Sequence, residues 1–206
     1  QLGAVIGRQF SYDLIKAVTA YDEGRLQQEL GQLVDAELLY QRGMLPRTTY
    51  MFKHALVKDV AYGSLLRRRR EVLHGAIGEA IEALDGARVG EQAAILAYHY
   101  ARSLHQDKAV TYALLAGDEA MRLHAQTEAT TSYDQALTLA RGLPDGPEAQ
   151  RLQIDAILKL AAVSRSREDL ARDQASLAQA QAMAETLEDE PRLAQVCYWQ
   201  GRLAYV

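Results

Sequence analysis

The sequence predicts a mainly α-helical protein in which one small β-hairpin near the N-terminal end is followed only by helices. Three observations lead there. Apolar residues recur at threes and fours along most of the 206 residues, as in helices with one buried face. Residues 37–53 break that period with β-branched and aromatic residues around turn formers. Alanine-rich frames recur in the second half, where helices too short to bury a face alone must stack on one another.

Taken in order, "QLGAVIG" reads as the tail of an apolar helix stopped by Gly7. "SYDLIKAVTAY" places Leu14, Ile15 and Val18 on one face behind the candidate cap Ser11. "DEGRLQQELGQLVDAELL" repeats the pattern with Leu26, Leu30, Leu33 and Val34 behind Asp22, a helix over about 23–36. "ELLYQR" and "TTYMFK" then flank "GMLP", whose Gly43 and Pro46 favour a turn, and this is the hairpin. Three helices and a two-stranded wing are the order of a winged-helix domain, expected over 1–63. Residues 64–88 form a connector helix and linker, broken from the preceding helix near Gly63. Leu66, Leu73, Ile77, Ala80 and Leu84 make one apolar face, and "DGARVG" closes the segment.

From 89 to 206 helices are divided at "HQD", "HAQ", "GLPDGP", "SRS" and "EDEP". Small-residue frames recur at Ala109, Ala113 and Ala116 with Tyr112, at Ala129, Tyr133 and Ala136, and more weakly at Leu177 and Ala180. Leu96, Ala97 and Tyr100 have the spacing of a tetratricopeptide first helix. Their uneven intervals predict an α-solenoid of irregular tetratricopeptide-like helix pairs. Both ends read as cuts through helical sequence, so the chain is expected to be truncated at both ends.

Composition narrows the function. The net charge is −4, from 23 basic and 27 acidic residues, so any field attractive to phosphate backbones must be local. The outward residues of the third helix, Arg25, Gln28, Glu29, Gln32 and Asp35, set one cation against two carboxylates, whereas docking on DNA wants several Lys or Arg. The single cysteine, Cys197, excludes an internal disulfide, and no apolar run is long enough to span a bilayer; a cytoplasmic protein is expected, without a membrane partner. There is no Gly-Lys dipeptide for a phosphate-binding loop and no Gly-x-Ser-x-Gly. The five histidines, at 54, 74, 99, 105 and 124, show no metal-ligand spacing. No catalytic residue, metal or cofactor is expected in this segment, which is read as non-enzymatic.

The run "SLLRRRREVLH" stands apart. Four consecutive residues sweep about 300° around an α-helix, so they form no single stripe. Arg67 can pair with Glu71 at i,i+4, and Arg69 or Arg70 can lay its stem along the core edge. The run reads first as a wet helix face, and beyond that as an interdomain contact in which Arg67, Arg68, Arg69 and Arg70 meet an acidic neighbouring domain.

The stretches "AVIGRQFSYDLIKAV", "LVDAELLYQRG" and "YMFKHALVKDVAYGSLLRRRREVLHGAIGEAIE" together resemble the region after the nucleotide-binding core of STAND ATPases, signalling proteins of which bacteria fuse many behind a class III adenylate/guanylate cyclase domain. The resemblance covers the winged helix and the long helix, and the repeats only in general style. It implies a multidomain regulatory ATPase whose P-loop core, outside this chain, binds ATP or ADP with Mg, while helical repeats receive a protein or small-ligand signal. In that family a histidine at the end of the winged helix, in a Met-His-Asp-like motif, contacts the β-phosphate of ADP. The matching run here is Phe52-Lys53-His54-Ala55, so His54 is the implied nucleotide sensor, with Ala55 departing from the motif's Asp. A receiving surface lined by first helices is expected around Tyr98, His99 and Arg102, and around Tyr198, Trp199 and Arg202. The chain is thus expected to couple binding on the repeats to the nucleotide state of an absent core. A DNA-binding regulator and a non-switching scaffold are the alternatives.

Overall fold

The computed structural model describes residues 1–44, 47–164 and 167–204. The described residues are mainly helical, with one three-stranded antiparallel sheet. The chain divides into two compact units, Gln1–Val89 with Arg102–Leu104, and Gly90–Ala101 with His105–Val206.

Unit 1 runs α1 (Leu2–Ile6), β1 (Gln9–Ser11), α2 (Tyr12–Val18), α3 (Glu23–Asp35), β2 (Leu39–Arg42), β3 (Thr49–Phe52), α4 (Ala55–Gly63) and α5 (Arg67–Asp85). Two side chains start helices as their sequence suggests. Ser11 Oγ accepts from Leu14 N at 3.2 Å and Asp22 Oδ1 from Arg25 N at 3.0 Å, each satisfying a first-turn N–H. The hairpin pairs Leu39 with Phe52 and Arg42 with Thr49. Of its turn formers, Gly43 has φ 88°, where a side chain is strained; Pro46 lies outside the described residues.

The sheet has a third strand that the sequence pattern does not show. β1 pairs with β3, Phe10 opposite Tyr50, giving the order β1-β3-β2. With three residues β1 has no period to display, and its partner is about 40 positions away, so only tertiary pairing creates it. Alternation on β3 turns Tyr50 and Phe52 inward. The Phe10 ring lies 5.8 Å from Tyr50 and 6.1 Å from Phe52, and Ile15, Leu26, Leu30 and Leu39 complete this core.

The segment after the sheet is two helices, with Ser64–Leu66 between them. The expected apolar face of α5 needs correcting. Leu66 precedes the first helical residue and is 81% exposed, and Leu84 is also exposed. The buried residues are Leu73, His74, Gly75, Ile77, Gly78 and Ile81, a face that includes a histidine and two glycines hydropathy does not mark.

Residues 86–92 form a 3-10 turn kinked at Arg88. Unit 2 then consists of α6 (Ala93–Tyr100), α7 (Gln106–Arg122), α8 (Gln126–Arg141), α9 (Pro147–Val163), α10 (Arg167–Thr186) and α11 (Glu190–Leu203). Helix ends fall at the predicted breaks; of "SRS", Arg165 and Ser166 lie outside the described residues. Each helix packs on its sequence neighbour, and in addition α7 packs on α9 and α9 on α11. α7, α9 and α11 therefore make one layer, with α8 and α10 behind it. The small-residue frames are the seams. Ala109, Ala113, Ala129, Ala136, Ala140, Ala180 and Ala184 are buried, and Gly117 lets the Tyr133 ring lie against the α7 backbone where a Cβ would collide with it.

Candidate functional site

His54 occupies the N-cap position of α4, between the last sheet strand and the helix. Its backbone is extended (φ −126°, ψ 135°), it is exposed, and its imidazole makes no capping hydrogen bond to the first turn. The residue thus stands, exposed, at the positive end of a nine-residue helix. Leu56 and Val60, one turn apart on α4, are exposed as well, so this helix presents an apolar face beside the histidine.

The arginine run spreads around the start of α5. Arg67 Nε donates to Glu71 Oε1 at 3.0 Å across one turn. The Arg70 guanidinium lies 5.0 Å from the centre of the Tyr62 ring, a cation–π contact. Arg69 lines an apolar cavity of about 430 Å³ together with Leu65, Leu73, Phe10 and Leu30. Arg68 is exposed. Behind them the Tyr62 hydroxyl is 3.0 Å from His74 Nε2. Burial first, then the charges of Arg102 and Arg70, push the His74 imidazole down to about 4, so at neutral pH it is uncharged. On α3, Arg25, Gln28, Glu29, Gln32 and Asp35 all face outward, and Arg25 is stacked 4.2 Å over the Tyr21 ring. That face carries two carboxylates and one committed cation.

The residues expected on the receiving surface separate into two groups. Tyr98 and His99 are on α6, at one end of unit 2, and Tyr198, Trp199 and Arg202 on α11, at the other. His99 is corrected as a surface contact: it is buried, edge-on to Tyr98 at 5.3 Å, because position 99 falls on the packed side of α6. Tyr98 is exposed. Arg102 is exposed and belongs to unit 1. On α11 the three residues form one cluster. Tyr198 is 60% exposed and edge-on to Trp199 at 5.3 Å, and the Arg202 guanidinium sits 5.1 Å from the Trp199 ring. Trp199 also packs into the unit 2 core, so the exposed edge of this cluster is Tyr198 and Arg202.

Between these ends the α7-α9-α11 layer carries a groove of about 380 Å³ with an apolar wall of Leu114, Leu115, Leu152 and Leu158 and with Asp118, Asp155 and Lys159 along it. Asp118 Oδ1 accepts from Lys159 Nζ at 2.6 Å and from the Tyr133 hydroxyl at 2.7 Å; burial and that carboxylate push the Tyr133 hydroxyl well above the usual phenol range. Asp155 accepts a bidentate pair from Arg192 Nε and Nη2, both 2.8 Å, and Arg192 Nη1 donates to Asp189 Oδ2 at 2.8 Å. Arg192, by its backbone N–H first and then its guanidinium, holds the Asp189 carboxyl below its ordinary value. These fork contacts tie α11 to α9. Sequence reasoning missed this groove; its one signal is the recurrence of an acidic residue 37 positions apart, Asp118 and Asp155, on successive front helices.

Among the described residues no group of three His, Cys, Asp or Glu is placed to hold a metal ion, and no helix is long and apolar enough to cross a membrane. No protein-family model matches the chain, and no solved structure matches it. An uncharacterised protein of Rhizobium meliloti (strain 1021) is 27% identical over 158 residues, which is 76% of this chain and 15% of that protein. The chain therefore spans about one seventh of the length of the relative it matches.

Proposed function

We propose that this chain is the regulatory part of a larger STAND-type signalling ATPase and is itself non-enzymatic. In this reading unit 1 is a winged-helix domain that docks on a P-loop core, and unit 2 is a tetratricopeptide-like receiver. The element order α1-β1-α2-α3-β2-β3, with the wing closed by β1, supports the first assignment. The front layer of α7, α9 and α11 with α8 and α10 behind supports the second, with α7/α8 and α9/α10 as the pairs. The groove on the front layer, apolar with alternating charge, suits an extended or helical peptide from a partner.

The observation that carries the reading is the placement of His54. An exposed imidazole with no bond to its own helix, at the positive end of that helix and directly after the sheet, is poised to donate to a phosphate oxygen brought by another domain. In this reading the absent core binds ADP and Mg, and that site is coupled to the groove. The mechanism is a coupling free energy: a partner that binds the groove more tightly in one interdomain arrangement shifts the nucleotide state by the same factor. The test is His54→Ala in a longer chain that contains this segment and its core. ADP affinity is expected to fall by about tenfold, a charge-assisted hydrogen bond lost at a phosphate, with folding unchanged by circular dichroism. Unchanged ADP affinity would remove His54 from the mechanism.

A further inference from the structure

A second cavity, of about 190 Å³, lies behind the groove, between α8, α9 and α10. Its floor is apolar, formed by the buried Leu137, Ile157 and Leu160. One wall is Asp173, which is 3% exposed. Its Oδ1 stands 3.4 Å from Arg172 Nε and Nη2, the long end of hydrogen bonding. Its Oδ2 is buried and has no hydrogen-bond partner among the described residues. A carboxylate oxygen taken out of water without a donor is strongly disfavoured. An open cavity beside it gives it a purpose, since a donor arriving from outside would satisfy the oxygen.

The rim decides which donor. Arg141 on α8 is exposed, and its guanidinium makes a long contact, 3.5 Å, to Gln179 Oε1. Asp134, Thr138, Arg172 and Ser176 also line the cavity, which offers a desolvated acceptor on Asp173, an apolar floor and, on Arg141, a guanidinium able to bind a carboxylate in a bidentate way. A simple anion would meet the charge of Asp173. A divalent cation would meet the guanidinium and lacks a third acidic ligand. A zwitterion with a short apolar body satisfies all three surfaces. At roughly 30 Å³ per water the space equals about six waters, the size of a small aliphatic amino acid.

We propose that this cavity binds a free α-amino acid of alanine-to-valine size, its ammonium donating to Asp173 Oδ2 and its carboxylate accepting from Arg141. This goes beyond the signalling reading and stands without it, because binding is measured on this chain alone. Isothermal titration of the 206-residue chain with glycine, alanine and valine should show at least one of them binding at a Kd below about 1 mM. Isobutylamine, which lacks the carboxylate, and isovalerate, which lacks the ammonium, should each bind valine's site at least about tenfold more weakly than valine. Asp173→Asn, nearly isosteric, and Arg141→Gln, at an exposed position that leaves the core intact, should each weaken binding by about tenfold or more, with the ligand-free melting temperature not lowered by Asp173→Asn. The proposal is overturned if no amino acid binds at about 10 mM, if isobutylamine binds as tightly as valine, or if both variants bind like the original chain.

Discussion

Gly117 shows how much one missing side chain decides. In an exposed helix interior, Gly→Ala stabilises by about 1 kcal/mol. At this position the added Cβ would press into the Tyr133 ring, which is itself pinned through its hydroxyl to Asp118. We expect Gly117→Ala to destabilise by about 1–3 kcal/mol, the cost of overpacking a closed seam, read as a lower urea midpoint by circular dichroism. A stabilised variant would mean that the α7-α8 seam is looser than described. His74 makes a prediction of opposite kind. Its folded pKa of about 4 lies below the ordinary value of about 6.5. As pH falls, the unfolded chain takes up this proton first. The contribution of His74 is full above about pH 6.5 and is lost as pH drops toward about 4, by at most about 1.4 kcal/mol per unit. His74→Phe should flatten the urea midpoint between about pH 4.5 and pH 7 relative to the original chain, and an unchanged slope would assign the acid sensitivity elsewhere.

Helix ends are where this sequence departs from common usage. Glu37, His124 and Glu188 follow α3, α7 and α10 with φ of 57°, 59° and 52°, the left-handed conformation usually given to glycine. The residue that follows each donates its backbone N–H to a carbonyl five positions back, Leu38 to Leu33, Ala125 to Ala120 at 2.8 Å and Asp189 to Ala184 at 3.0 Å, and so closes the helix. Because His124 is exposed, His124→Gly relieves the strain without losing packing and should raise stability by about 0.5–1 kcal/mol. A thermal melt that moves down rather than up would show that the imidazole has a role at the α7-α8 corner. The same elements show what was legible. The caps Ser11 and Asp22, the hairpin and the helix breaks depend on neighbours within about five positions, and the pattern displays them. The strand β1 and the buried His74 and Gly78 depend on partners far along the chain, and it does not.

For the molecule as a whole, charge is the property that composition and structure share. The net charge is −4, α3 turns Glu29 and Asp35 outward, and its one exposed cation is stacked on Tyr21. We expect no electrophoretic retardation of duplex DNA by this chain at low salt, about 50 mM. A complex with a steep salt dependence would instead favour a DNA-binding regulator over the signalling reading. The candidate receiving surface was legible only as chemistry. Aromatic and arginine residues on α6 and α11 stand out by type, but that α7, α9 and α11 share a face, and that Lys159 meets Asp118 across 41 positions, are results of stacking.

The sequence by itself determined the helical class, the hairpin, the helix boundaries and the small-residue seams, because local period, caps and turn formers are short-range properties of the chain. The tertiary structure alone decided the third strand, the layer that carries the groove, the burial of His99 and the unpartnered oxygen of Asp173. Those depend on which surfaces meet, and two helices with the same apolar period can be stacked in more than one order.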